Sequence, residues 1–389
     1  MSKKTLSVAF VHDELIRRGG AETVLEELLR LYPEADVYSL YAGVPRIVVD
    51  DISYPVQTTY LQRLPLWFRR HPRRLLLLLP NAAEQIDLAH YDVVISSSSG
   101  FAKAVVTRSL VPHICYCHTP TRYLWDAHDE VYQRTTKLKR FLAAPVLHRL
   151  RLVDFAAAQR VDTFVANSHW TQQRIRSFYG RASQVIYPPV DTTFYTPFRS
   201  AGNSATSRAQ NLPADQRPFL CVGRLTASKY FDRAIQVCEK LALPLIIVGT
   251  GYEASRLRKL AGRHTRFVDY ISREQLRTYD RTARALLQPA AEDFGIAAVE
   301  AQACGLPVIA YGIGGASETV LPTKTGLLYD TPNLEALADA VRRFIDLEPT
   351  LEPAIITQHA GQFSTARWRN AMLSVVESAV AKVATLPLD

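Results

Sequence analysis

Cysteine is scarce, no apolar run is long, and two stretches hold no acid, and each shortage closes off a class of protein. The five cysteines of the 389-residue chain, Cys115, Cys117, Cys221, Cys238 and Cys304, lie mostly in apolar runs that read as strands or helices. They show neither paired zinc-ligand spacing nor the density of a secreted disulfide scaffold. Cys115 and Cys117 stand one residue apart in a strand-like run, where a thiol serves as a small core hydrophobe. No run approaches the ~20 apolar residues of a membrane span. The opening MSKKTLSVAFVHDE lacks the shape of a signal peptide, because its short apolar stretch meets charge at once. A reducing cytoplasm is the expected compartment. No G-x-G-x-x-G motif follows an apolar strand, and Gly249-Thr250-Gly251 lacks the third glycine, which argues against a dehydrogenase.

Hydrophobic residues make up 48% of the chain and charged residues 21%, the balance of a folded protein, and the length fits two domains of ordinary size. The net charge is +9, and it is unevenly spread. Residues 52–83 contain Arg63, Arg69, Arg70, Arg73 and Arg74 with no acid, and residues 131–153 contain Arg134, Lys137, Lys139, Arg140, Arg149 and Arg151, again with none. Both stretches belong to the first half, which points to a polyanionic neighbour there, membrane phospholipid or nucleic acid. Leu64–Pro80, LPLWFRRHPRRLLLLLP, joins Trp67, Phe68 and five consecutive leucines to four of these arginines, as a surface segment at a lipid headgroup layer would.

Short apolar strands alternate with amphipathic helices almost from end to end. Thr5–His12, Asp92–Ser97, His113–Cys117 and Thr163–Ala166 read as strands, with helices at Ala21–Leu31 and Trp170–Phe178. Residues 199–216, RSAGNSATSRAQNLPADQ, are polar and aperiodic, the composition of a linker. The alternation then restarts: strands at Pro218–Val222, Pro244–Val248, Ala285–Gln288 and Pro307–Ala310, and helices at Tyr230–Leu241, Ala254–Ala261, Phe294–Cys304, Leu334–Ile345 and Thr365–Ala384. Ser272 and Gln275 form a capping box for one more helix. The pattern predicts an α/β chain with two parallel sheets, each covered by helices on both faces. Ligands of such folds bind outside the carboxyl ends of the strands, so residues just after strands are the place to look for chemistry.

Four groups stand there. EDFGIAAVE carries Glu292 and Glu300 eight positions apart; helical rise across that interval would separate the carboxylates by about 12 Å, the span from sugar to ribose in a nucleotide sugar. The glycine-bearing helix start between them suits a diphosphate. FLCVGRLTASK ends a strand at Gly223-Arg224, with Lys229 five residues on, and two cations there can clamp a pyrophosphate. Gly19-Gly20 lies between the first strand and first helix, where glycine permits close backbone approach to a ligand. His118 directly follows a strand and precedes Thr119-Pro120.

With these motifs in this order, the chain resembles glycosyltransferase family 4 (the group 1 transferases) over nearly its full length. Glu292-Asp293-Phe294-Gly295 and AQACGLPVIAY are close to the family's wording, and HTPTRYLWD (His118–Asp126) resembles bacterial mannosyltransferase-like enzymes that build polysaccharides or lipid-linked glycans. Tyr230-Phe231-Asp232 departs from the small or β-branched residue usual after the lysine. The resemblance implies a GT-B fold: two Rossmann-like, doubly wound parallel-sheet domains facing across a cleft. These would be residues 1–197, joined by a last helix at 365–389, and residues 217–364, with a linker at 198–216. It implies a retaining transfer of a hexose from a nucleotide-diphosphate sugar, GDP-mannose preferred, to a glycan or lipid-linked acceptor. Neither metal nor cofactor is expected, nor a nucleic-acid partner; an anionic membrane surface on the cytoplasmic side is the other expected partner. Position by position, Arg224 and Lys229 would neutralise the departing diphosphate, and Glu300 would hold the ribose. Glu292 would hold sugar hydroxyls, and Phe294, Gly295 and Ile296 would offer backbone N–H groups. His118 would contact the sugar and stabilise charge at the anomeric carbon, while Gly19 and Gly20 would line the donor site. Asp126, His128, Asp129 and Glu130 form an acidic, histidine-bearing cluster that the same resemblance assigns to an acceptor-side loop rather than to a metal. A sugar-nucleotide epimerase or hydrolase on the same fold is the alternative.

Overall fold

The computed structural model describes residues 6–16, 19–69, 75–126, 136–198 and 213–385. Arg70, Arg73, Arg74, Arg134, His128, Asp129, Glu130 and most of the expected linker lie outside the described residues. The chain divides into two units, residues 1–189 with 368–389 and residues 190–367.

The first unit is built on a sheet with the order β3-β4-β2-β1-β5-β6-β7-β8. Its strands are β1 (Val8–Leu15), β2 (Asp36–Ala42), β3 (Arg46–Val49), β4 (Ile52–Thr58), β5 (Val93–Ser98), β6 (His113–Cys117), β7 (Thr163–Ala166) and β8 (Ser183–Val185). All neighbours pair in parallel except β3, which runs against β4. β5 and β6 are buried at every position, as strands covered on both faces must be. Phe10, Val24, Leu25, Ile95 and Tyr116 pack on one face with Trp368, Met372 and Val376 of the helix Thr365–Ala384. Val11, Val94, Phe101, Leu124 and Leu150 fill the other face. The last helix is thus a wall of the first unit's core, although it is last in sequence.

The second unit has the order β11-β10-β9-β12-β13-β14, parallel throughout. These strands are β9 (Phe219–Val222), β10 (Leu245–Val248), β11 (Thr265–Val268), β12 (Leu286–Gln288), β13 (Val308–Tyr311) and β14 (Gly326–Tyr329). The capping box at Ser272 and Gln275 is present and opens the helix Arg273–Thr282. In each sheet the chain works outward on one side and then returns to the other. The order reverses between β1 and β5 in the first unit and between β9 and β12 in the second. Those are the topological switch points, where loops diverge and leave room for a ligand.

Three expectations are corrected. The segment Leu64–Pro80, expected at a surface, is partly core in its described residues: Leu66–Arg69 forms a four-residue helix and Leu79–Glu84 another. Leu75 and Leu79 are buried, and Arg69 donates to the carbonyls of Leu64 and Ala42. The helix expected at Phe294–Cys304 begins only at Ile296, because Gly295 turns the chain at φ +90°, a conformation closed to most L residues. Glu292 therefore precedes the helix, and helical rise does not set its separation from Glu300. Strands β2, β3, β4, β8, β11 and β14 and the 23-residue helix Lys137–Gln159 are found in addition.

Candidate active site

The candidate residues fall into two sets, one on each unit and each at a switch point. In the first unit, Gly19 is the extended residue that precedes the helix Gly20–Leu31, and no side chain caps that helix start. His118 follows β6, held at its backbone by His118 N–H to Ser98 O (2.9 Å) and by Asn167 Nδ2 to His118 O (2.8 Å). Two residues that sequence reasoning missed stand beside it. His12 on β1 and Ser97 on β5 are register partners, so their side chains share a sheet face. His12 Nδ1 lies 3.0 Å from Ser97 Oγ, and Ser97 Oγ lies 2.8 Å from His118 Nε2. Glu22, in the first turn of the helix after Gly19, lies 3.6 Å from His12 Nε2. Burial, with His12 adding its own repulsion, pushes the His118 imidazole down to about 3 and keeps it neutral. Period-2 alternation could have found this cluster, since residues 10 and 12, 95 and 97, and 116 and 118 each share a face.

A second buried network fixes the segment that carries His118. Asp154, on the helix Lys137–Gln159, accepts from Lys103 Nζ (2.6 Å), Thr121 Oγ1 (2.8 Å), Trp125 Nε1 (2.8 Å) and Tyr179 OH (2.8 Å). Burial disfavours the Lys103 ammonium, but Asp154 and Tyr179 outweigh it and hold the lysine charged. Arg174 donates to Thr119 Oγ1 (2.9 Å) and pairs with Asp126. Asp126 thus serves as an ion-pair partner in this segment.

In the second unit, Arg224 lies exposed just after β9, and Lys229 closes a short 3-10 turn. Lys229 Nζ is paired with Glu292 Oε1, so two residues expected to serve different parts of a ligand are in contact. Tyr230, at the departure from the family pattern, takes φ +52° to start the helix Phe231–Lys240, with Arg233 stacked 3.9 Å over its ring. The Glu292 backbone is propped from below by Gly314 and Gly315. Gly315 N–H donates to Glu292 O (2.8 Å), and a Cβ on Gly314 would sit 2.2 Å from that oxygen. Only glycine allows that approach. Gly295 precedes Ile296 with no side-chain cap, so the first N–H groups of Ile296–Ala303 are open to an anion. Phe294 is buried, edge-on to Phe363 at 5.6 Å between ring centroids.

Glu300 sits beside Tyr195 and Arg273. Burial raises its carboxyl, while Arg273 and a hydrogen bond from Tyr195 pull it back. Asp280, fully buried nearby, is raised well above the usual range by burial and by Glu300. Arg273, Arg277 and Arg281, one turn apart along a single helix face, hold the turn-forming segment after Val190. Arg277 stacks on Phe194 at 4.1 Å and donates to its carbonyl (2.9 Å), and Arg281 donates to Thr196 Oγ1 (2.9 Å). Tyr195 and Arg273 carry no motif and lie far from Glu300 in sequence, so nothing in the chain's text points to them.

The model for Glycosyltransferase Family 4 matches residues 18–194, and that for glycosyl transferases group 1 matches residues 203–358. The D-inositol 3-phosphate glycosyltransferase of Mycolicibacterium smegmatis is 31% identical over 230 residues, 55% of this chain and 52% of that protein. The GDP-mannose-dependent alpha-(1-6)-phosphatidylinositol monomannoside mannosyltransferase of Mycobacterium tuberculosis is 32% identical over 230 residues, 54% of this chain and 58% of that protein. The chain spans about half the length of the curated relatives it matches. Among solved structures, Anabaena HepE in complex with UDP and glucose superposes with a TM-score of 0.69 at 19% identity, covering 96% of this chain and 100% of that one. A likeness at that identity speaks to fold. Two family models matched in chain order, over two parallel-sheet units of this topology, show that the chain belongs to the group 1 (family 4) glycosyltransferases, with the GT-B fold.

Proposed function

We propose that the chain is a retaining glycosyltransferase that moves a hexose, with mannose preferred, from a nucleotide-diphosphate sugar to a glycan or lipid-linked acceptor. The observation that carries this reading is the convergence of the charged set on one switch point. Arg224 and Lys229 follow β9, and Glu292 and an uncapped helix start follow β12. In this reading the two cations and the N–H groups of Phe294, Gly295 and Ile296 take the diphosphate, with Gly295 setting the turn. Glu300, oriented by Tyr195 and Arg273, accepts from the ribose hydroxyls, and Glu292 accepts from the sugar. His118 accepts from a sugar hydroxyl and places a neutral, polarisable ring near the anomeric carbon as positive charge develops. Gly19 and Gly20 leave the backbone of the first loop open to the same ligand. GDP-mannose is preferred because a relative bears that donor in its name.

A panel of nucleotide sugars screened for thermal stabilisation, then assayed with and without acceptor, tests this. Stabilisation by one donor and efficient turnover only with acceptor is the expected result. Equal turnover without acceptor, giving free sugar or an epimer, would instead identify a hydrolase or epimerase.

The same reading seats the chain on an anionic membrane from the cytoplasmic side. No helix among the described residues is long and apolar enough to cross a membrane. Leu75 and Leu79 are buried while Trp67, Leu77 and Leu78 are exposed, and the helix Lys137–Gln159 carries Leu138, Phe141, Leu142, Leu152 and Phe155 exposed. They lie opposite its packed residues Leu147, Leu150 and Asp154, in a stretch with no acid up to Val153. Apolar side chains backed by unopposed lysine and arginine fit a headgroup layer of anionic lipid. Flotation with anionic vesicles is expected to show salt-sensitive binding that Phe141→Ser with Leu142→Ser abolishes. Binding that the double substitution leaves unchanged would reject this surface.

A further inference from the structure

The Ser97 hydroxyl owns one proton and sits between two imidazole nitrogens, His12 Nδ1 at 3.0 Å and His118 Nε2 at 2.8 Å. With both rings neutral it can donate to only one of them and must accept from the other. Glu22 breaks the tie. Its Oε1 lies 3.6 Å from His12 Nε2, and a carboxylate beside a ring nitrogen favours N–H there over a lone pair. His12 then carries its proton on Nε2 and presents Nδ1 as a lone pair, so Ser97 donates to it. The Ser97 oxygen in turn accepts from His118, whose proton must therefore sit on Nε2.

We infer that Ser97, ordered by His12 and Glu22, is a positioning residue that locks His118 as the Nε2–H tautomer and leaves its Nδ1 only a hydrogen-bond acceptor. All four residues belong to one unit, and the geometry is built in rather than fortuitous. His12 and Ser97 are register partners on adjacent strands and are buried, at 3% and 1% exposure. Glu22 is carried by the helix that packs on the same sheet face, through Val24, Leu25 and Leu28. An acceptor-only His118 selects a ligand group that can donate a proton, such as a hydroxyl, and it disfavours an ether or carbonyl oxygen at that place. That the ligand is a sugar rests on the function proposed above; the tautomer does not.

The test is nuclear magnetic resonance on the full chain labelled with nitrogen-15 in histidine, at mildly alkaline pH, above the ordinary histidine range. His118 resonances are identified by their loss in His118→Gln. The expected spectrum shows a protonated Nε2 and an unprotonated Nδ1 in the unsubstituted chain, and a shift toward the Nδ1–H form in Ser97→Ala. A protonated Nδ1 in the unsubstituted chain, or populations that Ser97→Ala leaves unmoved, would overturn the inference. With the donor found in the panel, Ser97→Ala is expected to lower kcat about tenfold and leave KM for the donor within about twofold, with partial recovery in Ser97→Cys, whose thiol is a weak donor and acceptor. Unchanged kcat in Ser97→Ala would remove Ser97 from the positioning set. Full activity in His118→Gln alongside the expected spectrum would uphold the tautomer and reject His118 as a sugar contact.

Discussion

Replacing Lys229 or Arg224 with alanine is expected to lower kcat by about 10²–10³-fold, with activity in both the variants and the unsubstituted chain indifferent to excess EDTA. A departing nucleoside diphosphate gathers negative charge, which something in the site must stabilise. Transferases with a single nucleotide-binding domain commonly recruit a metal through an Asp-x-Asp motif. Here the acidic pair Asp50-Asp51 lies in the turn between β3 and β4 at the margin of the first sheet, with Asp50 already paired to Arg30. Arg224 instead stands just after β9 and Lys229 closes the 3-10 turn that follows, and the uncapped helix start at Ile296 adds the positive end of its dipole. Because both cations would serve one diphosphate, the double variant should lose less than the product of the single losses. Turnover that EDTA abolishes and magnesium or manganese restores would overturn this account of the two residues.

The fold was legible because hydrophobic periodicity is a local signal. HICYC and TFVA read as strands over the ranges at which they are found, and the capping box at Ser272 needed only four residues to be visible. What stayed hidden depends on contacts distant in sequence. The edge strand Arg46–Val49 and its neighbour Ile52–Thr58 are largely exposed, so they lack the continuous apolar run that marks β5. The leucines at 75–79 looked like a surface feature because five in a row have no helical period. In the structure, turn geometry sends Leu75 and Leu79 inward and leaves Leu77 outward.

The site divides along the same line. Glu292, Glu300, Arg224 and Lys229 were visible because their spacing is a motif. The Lys229–Glu292 contact, whose partners stand 63 positions apart, and the arrangement of Tyr195 and Arg273 around Glu300 were not, because they exist only once segments distant in sequence are folded together. His12 and Ser97 form an intermediate case. Their parity on the sheet could be read from the strands, but that β1 and β5 are neighbours is a property of the topology.

The Lys229–Glu292 contact makes the second large prediction more specific than a loss of activity. Glu292→Gln is expected to lower kcat by about 10²-fold, the scale for one well-placed electrostatic contact. It should nonetheless leave the affinity for free nucleoside diphosphate undiminished or increased. Both side chains are partly exposed, at 25% for Lys229 and 21% for Glu292, so their pairing contributes only about 0–1 kcal/mol to stability and the fold tolerates its loss. In the ligand-free chain the carboxylate holds Lys229. On the proposed reading, an entering donor would turn Lys229 to its phosphate oxygens and release Glu292 to accept from the sugar. Glutamine keeps the shape but removes the competing charge, so the nucleotide half of the donor gains what the sugar half loses. The rival account makes Glu292 a mere guide for the lysine, and it requires Glu292→Gln to weaken nucleotide binding along with kcat. Calorimetric titration of nucleoside diphosphate into the unsubstituted chain and Glu292→Gln separates the two. A severalfold weaker Kd in the variant would reduce Glu292 to a positioning residue for Lys229.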